Sequence, residues 1–446
     1  MKFCSEFLHR RFHHHRRIVG AAVLATLCIA CGRQAEDRPP PTQSDLTEAA
    51  ERCRTMLQTS IVDFYYPHAL DTEYGGFKEL HHDGAFVHRG ERFVLMQARQ
   101  LWSFSHFALA GLQKEESLAA AKSGFDYLQR HLLDRAHGGY YAKVTDAGEP
   151  IDKRKHVYQQ SFVVYALAAY HRASQDHAAL EAARELFLIL EEKAYDPRHG
   201  GYNEFFYDDW TPITDPEEPT YIAPPGQKSF NAHLHLMEGF AELYRVWPDD
   251  LLRQRIAELI AVNTHAVQYP RVNQNIDFWY DDWTLIPDPA NQRTSYGHDI
   301  EGVWLTLDAA DAIALPRSVL RGWAESLTDS VLAKGWDRRH GGIFATGPLG
   351  QPADELRKTW WAQAEALLGF AYLFEFTENA IYFDYFLRTL DFIEDHLIAP
   401  QGGWWSEVDP DGTPAHDAIL SSEWQGAYHS GRALLFSAEI LERMAR

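Results

Sequence analysis

The stretches DTEYGGF (residues 71–77), DRAHGGY (134–140), DPRHGGY (196–202), DRRHGGI (337–343) and PQGGW (400–404) are variations on one motif. In each, Gly-Gly follows a polar run and precedes an aromatic or apolar residue. The second glycines are Gly76, Gly139, Gly201, Gly342 and Gly403, so the intervals are 63, 62, 141 and 61 residues. The long interval is about two periods. Its midpoint holds NIDFWYDDW (275–283), read here as a sixth copy that has lost its glycines. Self-similarity at a fixed period of this length marks a repeat architecture.

Working outward from the turns, the segments between them carry apolar residues at helical spacing, as in residues 161–174, 178–195, 234–246, 252–267 and 362–376. Each unit has room for two helices and a short turn or hairpin at its Gly-Gly. An open solenoid is the alternative, but its units would be more uniform than these. The expected fold class is therefore all-α, a closed (α/α)6 barrel. No linker divides residues 45–446, which are expected to form one domain; at 46% hydrophobic the chain has ample material for its core.

The N-terminal 30 residues read differently. Lys2, Arg10, Arg11, Arg16 and Arg17 precede an apolar run over residues 18–30, too short for an ordinary transmembrane helix. The run Leu27-Cys28-Ile29-Ala30-Cys31 is similar to a bacterial lipobox. Residues 1–30 are thus expected to be a lipoprotein signal peptide, with Cys31 lipid-modified and residues 31–44 a flexible, Pro-rich tether. Gly32 after the cysteine provides no inner-membrane retention signal, so the expected location is the periplasmic side of the outer membrane. Cys4 and Cys28 fall in the signal, which leaves Cys53 as the single body cysteine and no disulfide framework. The run His13-His14-His15 lies in the discarded segment.

A net charge of −21 argues against a nucleic-acid partner. The 13 Trp and 21 Tyr suit sugar stacking, although a large core also uses such residues. Three histidines occur near the starts of apolar-periodic runs: His235 in NAHLHLMEGF, His298 in SYGHDIEGVW and His429 in EWQGAYHSGR. Each has an ionisable neighbour three residues on, Glu238, Glu301 and Arg432, on the same helix face. Asn231 and His235, four apart, share a face, whereas His233 points about 200° away from His235 and drops out. Arg99 in LMQARQLWSFS requires a polar or anionic partner if buried. Tyr158 offers a hydroxyl or a ring face. Trp361 and Glu365 are four apart at the start of another helix, and Trp424 precedes His429 by five.

The segments KSFNAHLHLME, GHDIEGVWL, KTWWAQAEA and YHSGR resemble the N-acylglucosamine 2-epimerase superfamily, in particular its cellobiose 2-epimerase-like branch, over nearly all of the chain after residue 45. The resemblance implies an (α/α)6 barrel and a carbohydrate epimerase or isomerase that uses no cofactor and no metal. It implies an acid/base pair at His298 and His429, and His235 as a catalytic group that helps bind and open the sugar ring. It implies a pocket arginine at Arg99, stacking tryptophans at Trp361 and Trp424, and Tyr158, Asn231, Glu301 and Glu365 as substrate-contacting or histidine-supporting residues. One departure is visible. The branch carries Trp-Lys-Cys-Pro-Tyr-His where this chain has Trp424-Gln425-Gly426-Ala427-Tyr428-His429, a difference that bears on substrate range.

The chemistry requires such groups. The C2 proton of an aldose becomes acidic once the ring opens and C1 is a carbonyl; a base removes it to give an enediolate. Return of the proton to the other face of C2 is epimerisation, and delivery to C1 is aldose–ketose isomerisation. The expected function is a sugar 2-epimerase acting on the reducing end of a β-1,4-linked disaccharide such as cellobiose. The alternatives are an aldose–ketose isomerase, an N-acylglucosamine 2-epimerase, and a glycoside hydrolase using Glu301 and Glu365 as its carboxylate pair. Glu301, one helical turn after His298, is expected to orient that imidazole.

Overall fold

All five Gly-Gly pairs take φ between 65° and 87°, a region that glycine enters without strain. At Gly201 a β-carbon would also stand 2.6 Å from the His233 ring, so the turn has no room for a side chain. The structure is a computed structural model that describes residues 40–269 and 271–446. The signal peptide and Cys31 expected from the sequence lie outside these residues.

Twelve helices alternate along the described chain: α1 (Gln43–Met56), α2 (Val94–Leu109), α3 (Lys114–Tyr127), α4 (Val157–Ser174), α5 (His177–Lys193), α6 (Phe230–Val246), α7 (Asp250–Ala261), α8 (Tyr296–Ala312), α9 (Arg321–Lys334), α10 (Trp360–Thr377), α11 (Ala380–Phe392) and α12 (Tyr428–Met444). The even-numbered helices are buried over most of their length and pack side by side in chain order; α12 returns to α2 and closes the ring. Each odd-numbered helix lies outside its neighbour. The chain ends complete the circuit, because α1 packs on α12 and the Gly403 amide donates to Ser60 O at 2.8 Å. The result is an (α/α)6 barrel, 54% helical, with short two- and three-stranded antiparallel sheets between units and, among the described residues, no closed sheet. Helix α1 starts at Gln43, within the span expected to be tether, and Thr42 caps it in a reciprocal pair with Asp45.

Four of the five Gly-Gly turns are tied to the start of the next inner helix. Asp71, Asp134, Asp196 and Asp337 in the turns pair with Arg92, Lys155, Lys228 and Lys358 in the strands that lead into α2, α4, α6 and α10; the lysine pairs span 2.7–2.8 Å. The helices themselves reach back. Gln97, Gln160 and Gln363 accept from turn amides at 2.8–3.0 Å. His233 takes the same place, accepting from Tyr202 N at 2.9 Å. This explains the second histidine of NAHLH as a turn anchor.

The sixth turn is not at residues 275–283. It lies just before, where strands Gln268–Tyr269 and Gln274–Asn275 pair and Ile276 N bonds Val267 O at 3.0 Å, as Lys78 bonds Ala69 in the first unit. NIDFWYDDW belongs to the hairpin after the turn, and NEFFYDDW (203–210) is its counterpart one unit earlier. Trp210 and Trp283 both take positive φ, and each indole donates at 3.2 Å to a glycine carbonyl in the turn of the unit before its own, Gly138 and Gly200.

Candidate active site

A cavity of about 280 Å³ opens where the inner helices begin, lined by Arg99, Tyr158, Ile222, Asn231, His235, His298, Glu301, Trp360, Trp361, Trp424 and His429. All six inner helices contribute from their first two turns, so the positive ends of their dipoles face the cavity. Nine of the ten site residues expected from the sequence are on this wall. The tenth, Glu365, lies beneath it, fully buried and out of reach of a ligand.

Under the cavity floor, one guanidinium gathers three carboxylates. Arg432 donates to Glu365 at 2.7 Å, to Glu301 at 3.1 Å and to Glu238. Glu365 holds His429 Nδ1 at 2.6 Å and takes the Trp304 indole N–H at 2.8 Å on its other oxygen. Glu238 holds His235 Nδ1 at 2.7 Å and accepts from the Tyr428 hydroxyl at 2.6 Å. Two of the three histidines thus have a fixed tautomer, each with Nε2 left for other work. His298 differs. Glu301 does not orient it, since the charge partner of Glu301 is Arg432 on α12; the carboxylate beside His298 Nδ1 is Asp277, at 3.5 Å. The His298 and Trp361 rings lie 4.7 Å apart, and Trp361 and His429 6.0 Å apart.

Burial sets the protonation states. It lowers His235 to about 4 against the opposing pull of Glu238. Burial, then the Arg99 and Arg432 cations, hold His429 well below its ordinary value. Burial, then the neighbouring Glu365, push Glu301 well above the carboxylate range. Burial opposes ionisation of Glu238 too, but Arg432, His235 and the Tyr428 hydroxyl together outweigh it and keep that carboxyl below its ordinary value. His235 and His429 are therefore neutral imidazoles, beside a neutral Glu301, near pH 7.

Five polar atoms on this wall are buried with no hydrogen-bond partner: Arg99 Nε, Asn231 Oδ1, His298 Nδ1, Glu301 Oε2 and Trp360 Nε1. An uncompensated buried polar group is costly, so such a set on one cavity marks a place made for a polar ligand. Arg99 is held in place by the Tyr158 hydroxyl at 2.9 Å, by Trp424 O at 3.1 Å and by the Phe162 ring beneath it. At the far ends of the inner helices a second cavity of about 410 Å³ has a different character. There Arg172 pairs with Glu242 at 2.5 Å and Arg245 with Asp308 at 2.8 Å, so these charges satisfy each other.

Glu301, Glu365 and His429 present ligand atoms within 4.8 Å of one another, a spacing open to a metal ion. The donors are already engaged: Arg432 supplies the cation between the two carboxylates, and His429 Nδ1 is committed to Glu365. This set does not fit a metal site.

The profile of the N-acylglucosamine 2-epimerase (GlcNAc 2-epimerase) family matches residues 75–433. The chain belongs to this family. As a member it is a carbohydrate epimerase or isomerase. It is 30% identical over 384 residues to a cellobiose 2-epimerase of Bacteroides fragilis, covering 84% of this chain and 95% of the relative. It is 25% identical over 399 residues to a D-mannose isomerase of Marinomonas mediterranea, covering 84% and 95%. The crystal structure of a cellobiose 2-epimerase from Spirochaeta thermophila superposes with a TM-score of 0.82 at 29% identity, over 92% of this chain and all of that one.

In this family member, sequence reasoning missed Ile222 and Trp360 on the cavity wall and the buried Trp304. Trp360 had a signal, its adjacency to Trp361. Arg432 was visible only as a neighbour of His429 on one helix, whereas its partners Glu238, Glu301 and Glu365 come from three other helices.

Proposed function

We propose that the protein is a sugar 2-epimerase that interconverts gluco and manno configurations at C2 of the reducing-end ring of a β-1,4-linked disaccharide such as cellobiose. The observation that carries this reading is the cavity itself: two imidazoles on helices α8 and α12, a neutral carboxyl and an arginine face one space, with unpartnered donors and acceptors suited to a polyol.

In this reading the ring opens with proton delivery to the ring oxygen and removal of the anomeric hydroxyl proton, assisted by His235. One of His298 and His429 then takes the C2 proton, and the electron pair forms the C1–C2 double bond of an enediolate. Arg99 and the neutral Glu301 donate hydrogen bonds to the developing oxyanion. The other histidine, which enters as the imidazolium, returns its proton to the opposite face of C2, and the ring recloses. Substrate and product have the same oxidation state, so no redox cofactor enters the balance. Asn231, Tyr158, Trp361 and Trp424 hold and stack the sugar.

A glycoside hydrolase fits the geometry poorly. Both Glu365 oxygens are engaged below the floor, which leaves Glu301 without the second carboxylate that hydrolysis needs. Aldose–ketose isomerisation differs only in the carbon that receives the proton. Incubation with cellobiose and with mannose, resolved chromatographically, separates the two: the epimerase yields a mannose-ended disaccharide, and fructose alone would contradict it.

The lipobox-like Leu27–Cys31 run supports a further part of the reading, export and anchoring through Cys31 on the periplasmic side of the outer membrane. Incorporation of labelled fatty acid, lost in Cys31→Ser, tests this.

A further inference from the structure

The two copies of the YDDWT hairpin are joined to their inner helices by connections of different length. In the later copy Ile286 lies 10 residues before Tyr296, the first residue of α8; in the earlier one Ile213 lies 17 residues before Phe230, the first residue of α6. The earlier connection is thus seven residues longer, and it carries Ile222 onto the cavity wall. Apart from Trp424, the other lining residues belong to the inner helices.

This connection is fastened at several points. Tyr221 donates to Asp152 Oδ2 at 2.7 Å, and Arg154 donates to Glu218 at 2.9 Å and to Pro219 O at 2.7 Å. Asp152 and Arg154 are themselves a two-bond pair, at 2.6 and 2.9 Å. The Tyr221 ring packs on Phe93 at 5.3 Å, and Phe93 on Trp424 at 5.1 Å, so the connection and the tryptophan brace each other. The cavity is at the small end for a ligand site. Ile222, Trp360 and Trp424 are half-buried parts of its lining, open to a ring that extends beyond the first pyranose.

We propose that residues 214–226 form a selecting wall in which Ile222 packs against the second sugar ring of a disaccharide, with Arg154 and Asp152 as the positioning residues that hold the wall. The proposal rests on the sugar-epimerase reading for its ligand class.

The test uses ligands that cannot turn over. Cellobiitol and sorbitol lack the carbonyl, and their binding to the purified protein is measured calorimetrically. Ile222→Ala and Arg154→Ala are each expected to weaken cellobiitol roughly 5-fold more than they weaken sorbitol. Equal losses for the two alditols, or tighter cellobiitol binding, would overturn the wall; a contrast in Ile222→Ala but not in Arg154→Ala would overturn the role of the clamp. Failure of the epimerase reading is seen separately, as a wild-type protein that binds the alditols with this contrast but turns over no sugar.

Discussion

His429 Nδ1 donates to Glu365 Oε1 across 2.6 Å, and the same oxygen receives Arg432. The bond joins α12 to α10 beneath the cavity and leaves Nε2 as the nitrogen available to substrate.

Glu365→Gln is therefore expected to act through His429. It keeps the shape but removes the charge that fixes the tautomer and balances Arg432. We expect kcat to fall about 100-fold, within the range of general acid–base catalysis, with a smaller change in KM. Steady-state kinetics on cellobiose check this; a change confined to KM would place Glu365 in binding instead.

Gly297, one residue before His298, sets the seat of Trp361. A β-carbon there would lie 2.6 Å from the indole ring and 2.9 Å from Ala362. Gly297→Ala should push Trp361 out of position, raise KM several-fold and cost about 1–3 kcal/mol of stability. Denaturant unfolding alongside kinetics reads both effects.

The buried histidines give a pH signature. His235 titrates at about 4 in the folded protein against 6.5 as its ordinary value. Between these values the unfolded chain binds the extra proton, so the contribution is fully present above pH 6.5 and is lost as pH falls toward 4. Its size is on the order of 3 kcal/mol. Unfolding free energies at pH 7.5 and pH 5 should differ by about 2 kcal/mol of this, and His235→Gln should shrink the difference. His429 is also depressed, so the acid limb of kcat/KM should lie below pH 6.5.

Because Arg432 already occupies the space between the carboxyl groups of Glu301 and Glu365, prolonged treatment with a chelator should leave kcat/KM within about twofold of the untreated enzyme. A loss restored by added divalent ion would show that a metal displaces the arginine.

The toroid was legible because five turns demand glycine at positive φ and so leave a mark at a fixed period. The sixth was misplaced by a few residues because Asn273 takes the positive φ there, at 51°, and an asparagine does not stand out as Gly-Gly does. His233 was separated from His235 by helix geometry alone. Partners across helices were not accessible in this way. Glu301 is one turn from His298 in sequence, yet its partner Arg432 is 131 residues away. The same spacing rule succeeded for His235 and Glu238, where both ends of the bond lie on α6. Ile222 left no pattern of its own, since an irregular connection has no periodicity; its only trace is the seven-residue difference between two hairpin copies.

The central claim is proton exchange at C2 by histidines on α8 and α12 that line one cavity. The most direct measurement is to incubate the enzyme with cellobiose in D2O and examine the product by NMR and mass spectrometry. The account predicts a mannose-ended disaccharide carrying one deuterium at C2, with the glycosidic bond intact. Epimerised product without deuterium at C2, or release of glucose, would contradict it.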